Sequence, residues 1–203
     1  GDYDADGITS TALLVRVLRR MGGDVTPFLP HRMDDGYGLS TDTLQKCLGL
    51  HRPSLVVTVD CGTSSVDAVR AAGAAGVDVV VTDHHEPGGE IAPAVAMVNP
   101  KLGGDRSVAM LAGVGVAFKL CHALVKRARD AGHAAGALDL RHYMDLVAVG
   151  TIADIVPLRE ENRIFARYGL DQLNRTEFIG LRALMDVARL KGPADAYHVG
   201  FVL

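Results

Sequence analysis

Three aspartates at alternate positions, Asp2, Asp4 and Asp6, open the chain in the run GDYDADG over residues 1–7 and lead directly into an apolar-periodic segment. Carboxylates packed this closely repel one another unless a cation offsets them, and their oxygens are hard ligands for divalent ions. A calcium loop also begins this way, but it needs a bidentate glutamate at its twelfth position, which counted from Asp2 is Leu13. Two more aspartates end runs rich in β-branched residues: Asp60 closes SLVVTVD, and Asp83 closes VDVVVTD just before His84, His85 and Glu86. A lone aspartate at a strand end is more often a turn or helix cap than a ligand. Two of them, beside a histidine pair and an aspartate triplet, point to a site. Asp154 stands inside the apolar run GTIADIVPL (150–158), where burial would demand backbone N–H groups, an arginine or a metal as partner.

Imidazole with carboxylates and no thiolate suits manganese or magnesium better than structural zinc. Six aspartates and two histidines exceed what one octahedral ion accepts. Two divalent cations, Mn2+ or Mg2+, are therefore expected, roughly 3.5 to 4 Å apart across a bridging carboxylate, as in two-metal phosphoryl hydrolysis. Gly113 and Gly115, in a turn before a helical stretch, could present backbone N–H groups to a phosphate. As a dinucleotide fingerprint the pair is poor, because the third glycine position is Phe118. The three cysteines, Cys47, Cys61 and Cys121, form no close pair and suggest neither a disulfide framework nor a zinc site.

The elements that must position these groups follow from periodicity. Ser54–Asp60 and Val77–Asp83 are mostly apolar rather than alternating, as strands covered on both faces should be. The alanine-rich stretch Ser64–Ala75 between them completes a strand–helix–strand unit, so a parallel sheet with right-handed crossovers is expected. Aspartates leaving two such strands would meet in one crevice. Upstream, Ile8–Met21 has helical spacing and Val25–Leu29 is a strand candidate, an edge because of Pro27. Ser40 and Asp42 offer a cap for a helix to about Leu50, and Ala94–Val98 is a further strand. From there the pattern turns helical over Val114–Ala131, Arg141–Val149, Glu160–Leu173 and Gly180–Leu190, with Ala131–Ala137 as a surface connection. The expected fold is α/β: a doubly wound, mainly parallel sheet with helices on both faces, followed by a helical C-terminal part. One domain is expected over 1–203, with the sheet half in about 1–110 and the helical half in about 111–203.

Hydrophobic residues make up 48% of the 203, enough for a full core. No apolar run approaches the roughly 18 residues of a membrane span. A cytoplasmic location with no membrane contact is expected. The chain starts inside a charged motif without methionine and stops in an apolar run, which reads as an excised piece. Net charge is −3, from 21 basic and 24 acidic residues. Setting six of the 24 aside as ligands leaves 18 against 21, so a phosphate-bearing partner is electrostatically tolerable.

GDYDADG, TVDCG, TDHHEPG and GTIADIVPL, in this order and spacing, resemble the four motifs of the DHH phosphoesterases. His31 and Arg32 in PHR, the run DGYGLS (35–40), Asn99 and Lys101 in NPK, and AGVGVAFK (112–119) resemble that family's RecJ branch, 5′ to 3′ exonucleases acting on single-stranded DNA. The resemblance covers essentially the whole chain. It implies Asp4 and Asp6 as terminal ligands of different metals, Asp60 as the bridge, and His84 and Asp154 completing the set. Asp2 is a lower-ranked ligand or an orienting group. Asp83 is expected to hold His84 by a hydrogen bond rather than to bind metal. His85 and Arg32 would face phosphate, with His31, Asn99 and Lys101 as weaker candidates. Many relatives carry a histidine just before the first motif, so the shell of the metal beside Asp4 is expected to be incomplete here. Longer relatives also carry further DNA-binding domains, and other DNA-repair proteins are implied as partners. Two alternatives stay open at this stage: a DHH relative cutting oligoribonucleotides, a cyclic dinucleotide or pyrophosphate, and a metal-binding module that holds nucleic acid without cutting it.

Overall fold

The computed structural model describes residues 1–31, 33, 36, 38–104 and 107–203. In chain order the elements are α1 (Ala5–Arg20), α2 (Thr41–His51), β1 (Leu55–Val59), α3 (Val66–Ala74), β2 (Asp78–Thr82) and β3 (Ala96–Val98). They are followed by α4 (Gly113–Asp130), α5 (Met144–Ala153), α6 (Glu160–Leu173), α7 (Ile179–Val187) and α8 (Ala196–Phe201). The strands form one parallel sheet in the order β1-β2-β3, with Val59 opposite Thr82 and Thr82 opposite Val98.

Side chains alternate across a strand, and here both faces find a core. Val57, Val59 and Val98 turn toward α1, α4, α5 and α6, where Leu13, Val17, Val114, Ala117, Val147 and Phe165 are buried. Val56, Val79, Val81 and Met97 turn the other way, onto Leu44 of α2 and Ala68, Val69 and Ala72 of α3. The architecture is thus a doubly wound parallel α/β sheet with a helical remainder, and double coverage explains the uninterrupted apolar strands. The first core binds the halves together, since α1 packs on both α4 and α5.

Three local expectations are corrected. Val25–Leu29 joins no ladder among the described residues. Pro27 has no N–H to give, and the segment is tied instead at single points. The Arg19 guanidinium donates to the Val25 carbonyl at 2.9 and 2.6 Å, and the Gly1 amine to the Phe28 carbonyl at 3.0 Å. The surface connection over 131–137 is exposed at 131–134 and 137 but not throughout: Ala134–Ala137 is a short 3-10 turn in which Ala135 and Gly136 are buried, the latter too close to the Arg129 backbone to carry a side chain. The helix expected over 141–149 begins at Met144, after a 3-10 turn capped by Asp139, and runs on to Ala153. That extension delivers Asp154 as the C-cap of α5. Among the described residues no helix is long and apolar enough to cross a membrane.

Candidate metal centre

β1 and β2 end in register, so the residues just beyond them, Asp60 and Asp83, leave the sheet side by side at its carboxyl edge. Asp60 adopts φ 60°, the left-handed region that aspartate and asparagine tolerate better than other side-chain-bearing residues. Its turn is closed by the Thr58 hydroxyl, which donates to the Cys61 carbonyl at 2.7 Å.

α1 starts at the same edge. Asp4 is its N-cap and accepts from the Gly7 N–H at 2.9 Å. Asp6, in the first turn and 1% exposed, is gripped from across the molecule. Its two oxygens accept the N–H groups of Gly113 (2.6 Å) and Val114 (2.8 Å), the positive end of α4. The backbone donors expected to meet a phosphate at Gly113 therefore hold a carboxylate. Gly115 is likewise a packing residue, with a Cβ there falling 3.2 Å from Leu111 and 3.5 Å from Phe165. The close approach of α4 requires glycine at 113, where a Cβ would stand 2.8 Å from Asp60 Cβ and Oδ1 and 2.9 Å from Asp6 Oδ2. Gly150 on α5 meets the same restriction, colliding with Thr9 Oγ1 and standing 3.0 Å from Asp6 Oδ1.

His84 lies at the centre. Its Nε2 is 3.1 Å from Asp60 Oδ1, 3.7 Å from Asp6 Oδ2 and 3.7 Å from Asp154 Oδ2. None of these contacts is aligned as a hydrogen bond, and His84 Nε2, Asp60 Oδ1 and Asp154 Oδ2 are all buried with no hydrogen-bond partner. Buried polar atoms are ordinarily satisfied. Three that converge on one point without bonding each other are arranged for a ligand between them. Ligand atoms of Asp6, His84 and Asp154 lie within 4.8 Å of one another, as do those of Asp2, Asp4 and Asp60, and those of Asp60, His84 and His85. Asp60 is common to the last two groups and touches His84 of the first. The donor set therefore suits two hard cations sharing one carboxylate.

Electrostatics point the same way. Burial, then repulsion from Asp60, pushes the Asp6 carboxyl up to about 8, and burial with Asp4 nearby pushes Asp60 to about 8. Burial also raises Asp154. Acids whose folded pKa exceeds the unfolded value retain protons that the unfolded chain releases. Between 3.8 and about 8, then, the metal-free protein should lose stability as pH rises. Cations require the deprotonated carboxylates. The gain in Tm on adding Mn2+, measured against EDTA, should consequently be largest near about pH 8 and shrink toward about pH 5. A gain that grows on acidification would contradict this origin.

Asp83 sits beside this cluster rather than in it. Its Oδ1 accepts the N–H groups of His84 (2.7 Å) and His85 (3.2 Å) and bonds the His85 ring at Nδ1 (2.8 Å), while Oδ2 accepts from Thr63 N (2.9 Å). Burial alone would raise its pKa, but the bonds from the His85 ring and Thr63 outweigh it and hold the carboxyl below the ordinary range. The ring that Asp83 orients is thus that of His85, whereas His84 is held through its backbone. This bond in turn lifts His85 to about 9 against the opposing effect of burial, which makes it cationic at neutral pH.

The remaining phosphate candidates separate. Lys101 Nζ pairs with Glu86 at 3.3 Å. His31 is exposed and joins none of the ligand groups, and Arg32 lies outside the described residues. Asn99 is buried, with its side chain engaged by protein groups alone. Sequence reasoning missed Gly150, Val114 and Thr63. A glycine inside the otherwise apolar α5 was the available signal for the first, and Thr63, directly after the TVDCG run, for the last.

The family model described as "DHH family, N-terminal domain" matches residues 1–151. The chain is 41% identical over its full length to the single-stranded-DNA-specific exonuclease RecJ of Bacillus subtilis, covering 25% of that protein, and 44% identical to that of Dickeya dadantii, covering 36%. It thus spans between a quarter and about a third of these relatives. Among solved structures, an exonuclease RecJ bound to manganese superposes with a TM-score of 0.84 at 40% identity, over all of this chain and 49% of that one. RecJ of Thermus thermophilus in complex with Mn2+ gives 0.80 at 38% identity, over all of this chain and 28% of that one.

Proposed function

The chain belongs to the DHH family, and from that premise we propose that residues 1–203 are the catalytic domain of a metal-dependent phosphodiesterase. Within the domain, about 1–110 form the sheet half and about 111–203 the helical half. The whole protein is read as a 5′ to 3′ exonuclease that releases mononucleotides from single-stranded DNA in repair and recombination. Cytoplasmic residence and partnership with other DNA-repair proteins go with this reading.

One observation carries the proposal. Asp60 Oδ1, His84 Nε2 and Asp154 Oδ2 are buried, aimed together and unsatisfied by protein. In this reading Asp6, His84 and Asp154 hold one ion, Asp4 and Asp2 the other, and Asp60 both, as Mn2+ or Mg2+. When bound, such ions would acidify an attacking water and offset charge on the phosphate. The protein's own groups do the rest. Two N–H groups of α4 fix the Asp6 carboxylate, so this ligand need not reorganise during reaction. His85, cationic through its bond to Asp83, offers positive charge to a phosphodiester oxygen. Among the described residues, the cluster of aspartates and histidines calls for no covalent nucleophile.

The test is digestion of single-stranded DNA labelled at the 5′ or the 3′ end, by the full-length protein with Mn2+ or EDTA. Duplex DNA, short oligoribonucleotides and pyrophosphate serve as competitors. Metal-dependent loss of the 5′ label as mononucleotide is expected. Preferred turnover of oligoribonucleotides or pyrophosphate, or binding without cleavage, would overturn the reading.

A further inference from the structure

Asn99 follows β3 and is 7% exposed, yet its amide reaches two other loops. Its Oδ1 accepts the N–H of Lys101 at 3.0 Å, which fixes the orientation of the amide. Nδ2 then donates to the Thr63 hydroxyl at 2.9 Å and to the His85 carbonyl at 2.9 Å. An amide nitrogen carries two hydrogens, and both are used within the protein. Nothing on this donor remains for a substrate phosphate.

The two partners belong to the loops that leave β1 and β2. Thr63 donates its backbone N–H to Asp83 Oδ2 at 2.9 Å, and Asp83 holds both histidine N–H groups and the His85 ring. Asn99, Thr63, Asp83 and His85 therefore close a ring of hydrogen bonds linking the carboxyl ends of all three strands. His84, whose backbone lies in that ring, projects its imidazole among Asp6, Asp60 and Asp154. We propose that Asn99 is a positioning residue: it clasps the 83–86 turn to Thr63 and so sets His84 and His85 against the metal centre. This inference rests on the nuclease reading above for its effect on rate, but not for its effect on the turn.

Asn99→Asp keeps the acceptor for Lys101 and removes both donors. Thr63→Val removes the hydroxyl, which accepts from Asn99 and also bonds the Asp83 carboxylate, and leaves the backbone bond to Asp83. In the full-length protein with Mn2+ and single-stranded DNA, Asn99→Asp should lower kcat about 10- to 100-fold. KM should stay within about twofold, the signature of an interaction that does not bind substrate. Thr63→Val should lower kcat about 5- to 20-fold, as expected for the loss of one neutral hydrogen bond and one to a carboxylate. The double variant should be no slower than Asn99→Asp by more than about twofold, since both break one network. Independently of activity, hydrogen exchange in the metal-free protein should show faster exchange of the His84 and His85 amides in both variants, with β1 unchanged.

A raised KM at unchanged kcat would make Asn99 a substrate contact and overturn the proposal. Unchanged exchange at His84 and His85 would do the same. If Asn99→Asp does not fold, Thr63→Val decides on the same two readouts. If the wild-type protein cuts no phosphodiester, the nuclease reading fails while the exchange comparison still judges the clasp.

Discussion

Asp60→Asn should reduce the proposed metal-dependent hydrolysis by about 10³-fold or more, because it removes the carboxylate proposed to serve both ions. Asparagine is the cleaner replacement at this position. Asp60 sits at φ 60°, and alanine there would add a backbone cost of about 1–2 kcal/mol, whereas asparagine tolerates the left-handed region. The substitution also deletes a buried charge that repels Asp4 and Asp154. Metal-free Asp60→Asn should hence melt at or above the wild type near about pH 8 and lose most of the Mn2+-induced rise in Tm. Release of labelled mononucleotide and thermal melting with and without Mn2+ check both parts. Residual activity above about a tenth of wild type would be too much for a missing bridge and would sink the assignment.

Gly113→Ala should damage both the stability of the domain and the proposed metal centre. At a helix start, alanine in place of glycine is normally neutral or stabilising by up to about 1 kcal/mol. Here the added carbon would lie 2.8 Å from Asp60 and 2.9 Å from Asp6, both buried and both ligands in the proposed site. Either α4 retreats and its N–H groups leave Asp6, or the two carboxylates separate. A destabilisation of about 1–3 kcal/mol is expected in urea unfolding. Mn2+ affinity by calorimetry should fall about 10- to 100-fold. Gly150→Ala should act in the same direction, because its Cβ would press on Thr9 and Asp6. Wild-type affinity in Gly113→Ala would mean that the start of α4 has no part in holding Asp6.

The clustering of the candidate ligands was legible because their chemistry is local. Asp2, Asp4 and Asp6 announce themselves by spacing, and Asp60 and Asp83 by closing apolar strands in a parallel unit whose ends must coincide. What stayed illegible depends on contacts between distant segments. Gly113 and Gly150 matter through the side chain they lack, and what forbids it is distant in sequence: Asp60 and Asp6 for Gly113, Thr9, Val114 and Asp6 for Gly150. The doublet His84–His85 places two imidazoles at one strand end but does not say which ring turns to Asp83. Adjacent side chains after a strand diverge, and the structure gives the Asp83 bond to His85 and the position beside Asp6, Asp60 and Asp154 to His84. Asn99 was a phosphate candidate through the resemblance of its NPK run, and only the positions of Thr63 and His85 show where its hydrogens go. Val25–Leu29 has strand composition but joins no ladder among the described residues.

The bond from the Gly113 N–H to Asp6 spans 107 residues, and Asp154 stands 150 positions beyond Asp4. Contacts of such separation form late, after the local helices and strand pairs. During synthesis, which proceeds from the N-terminus, a ribosome-bound chain would expose its acidic opening for most of the domain's length before α4 and α5 arrive to organise it. A truncated or partly folded polypeptide would accordingly carry the ligands without the geometry. Such a chain could still collect cations loosely, but the hydrolysis proposed for the finished domain would have to wait until the domain had closed.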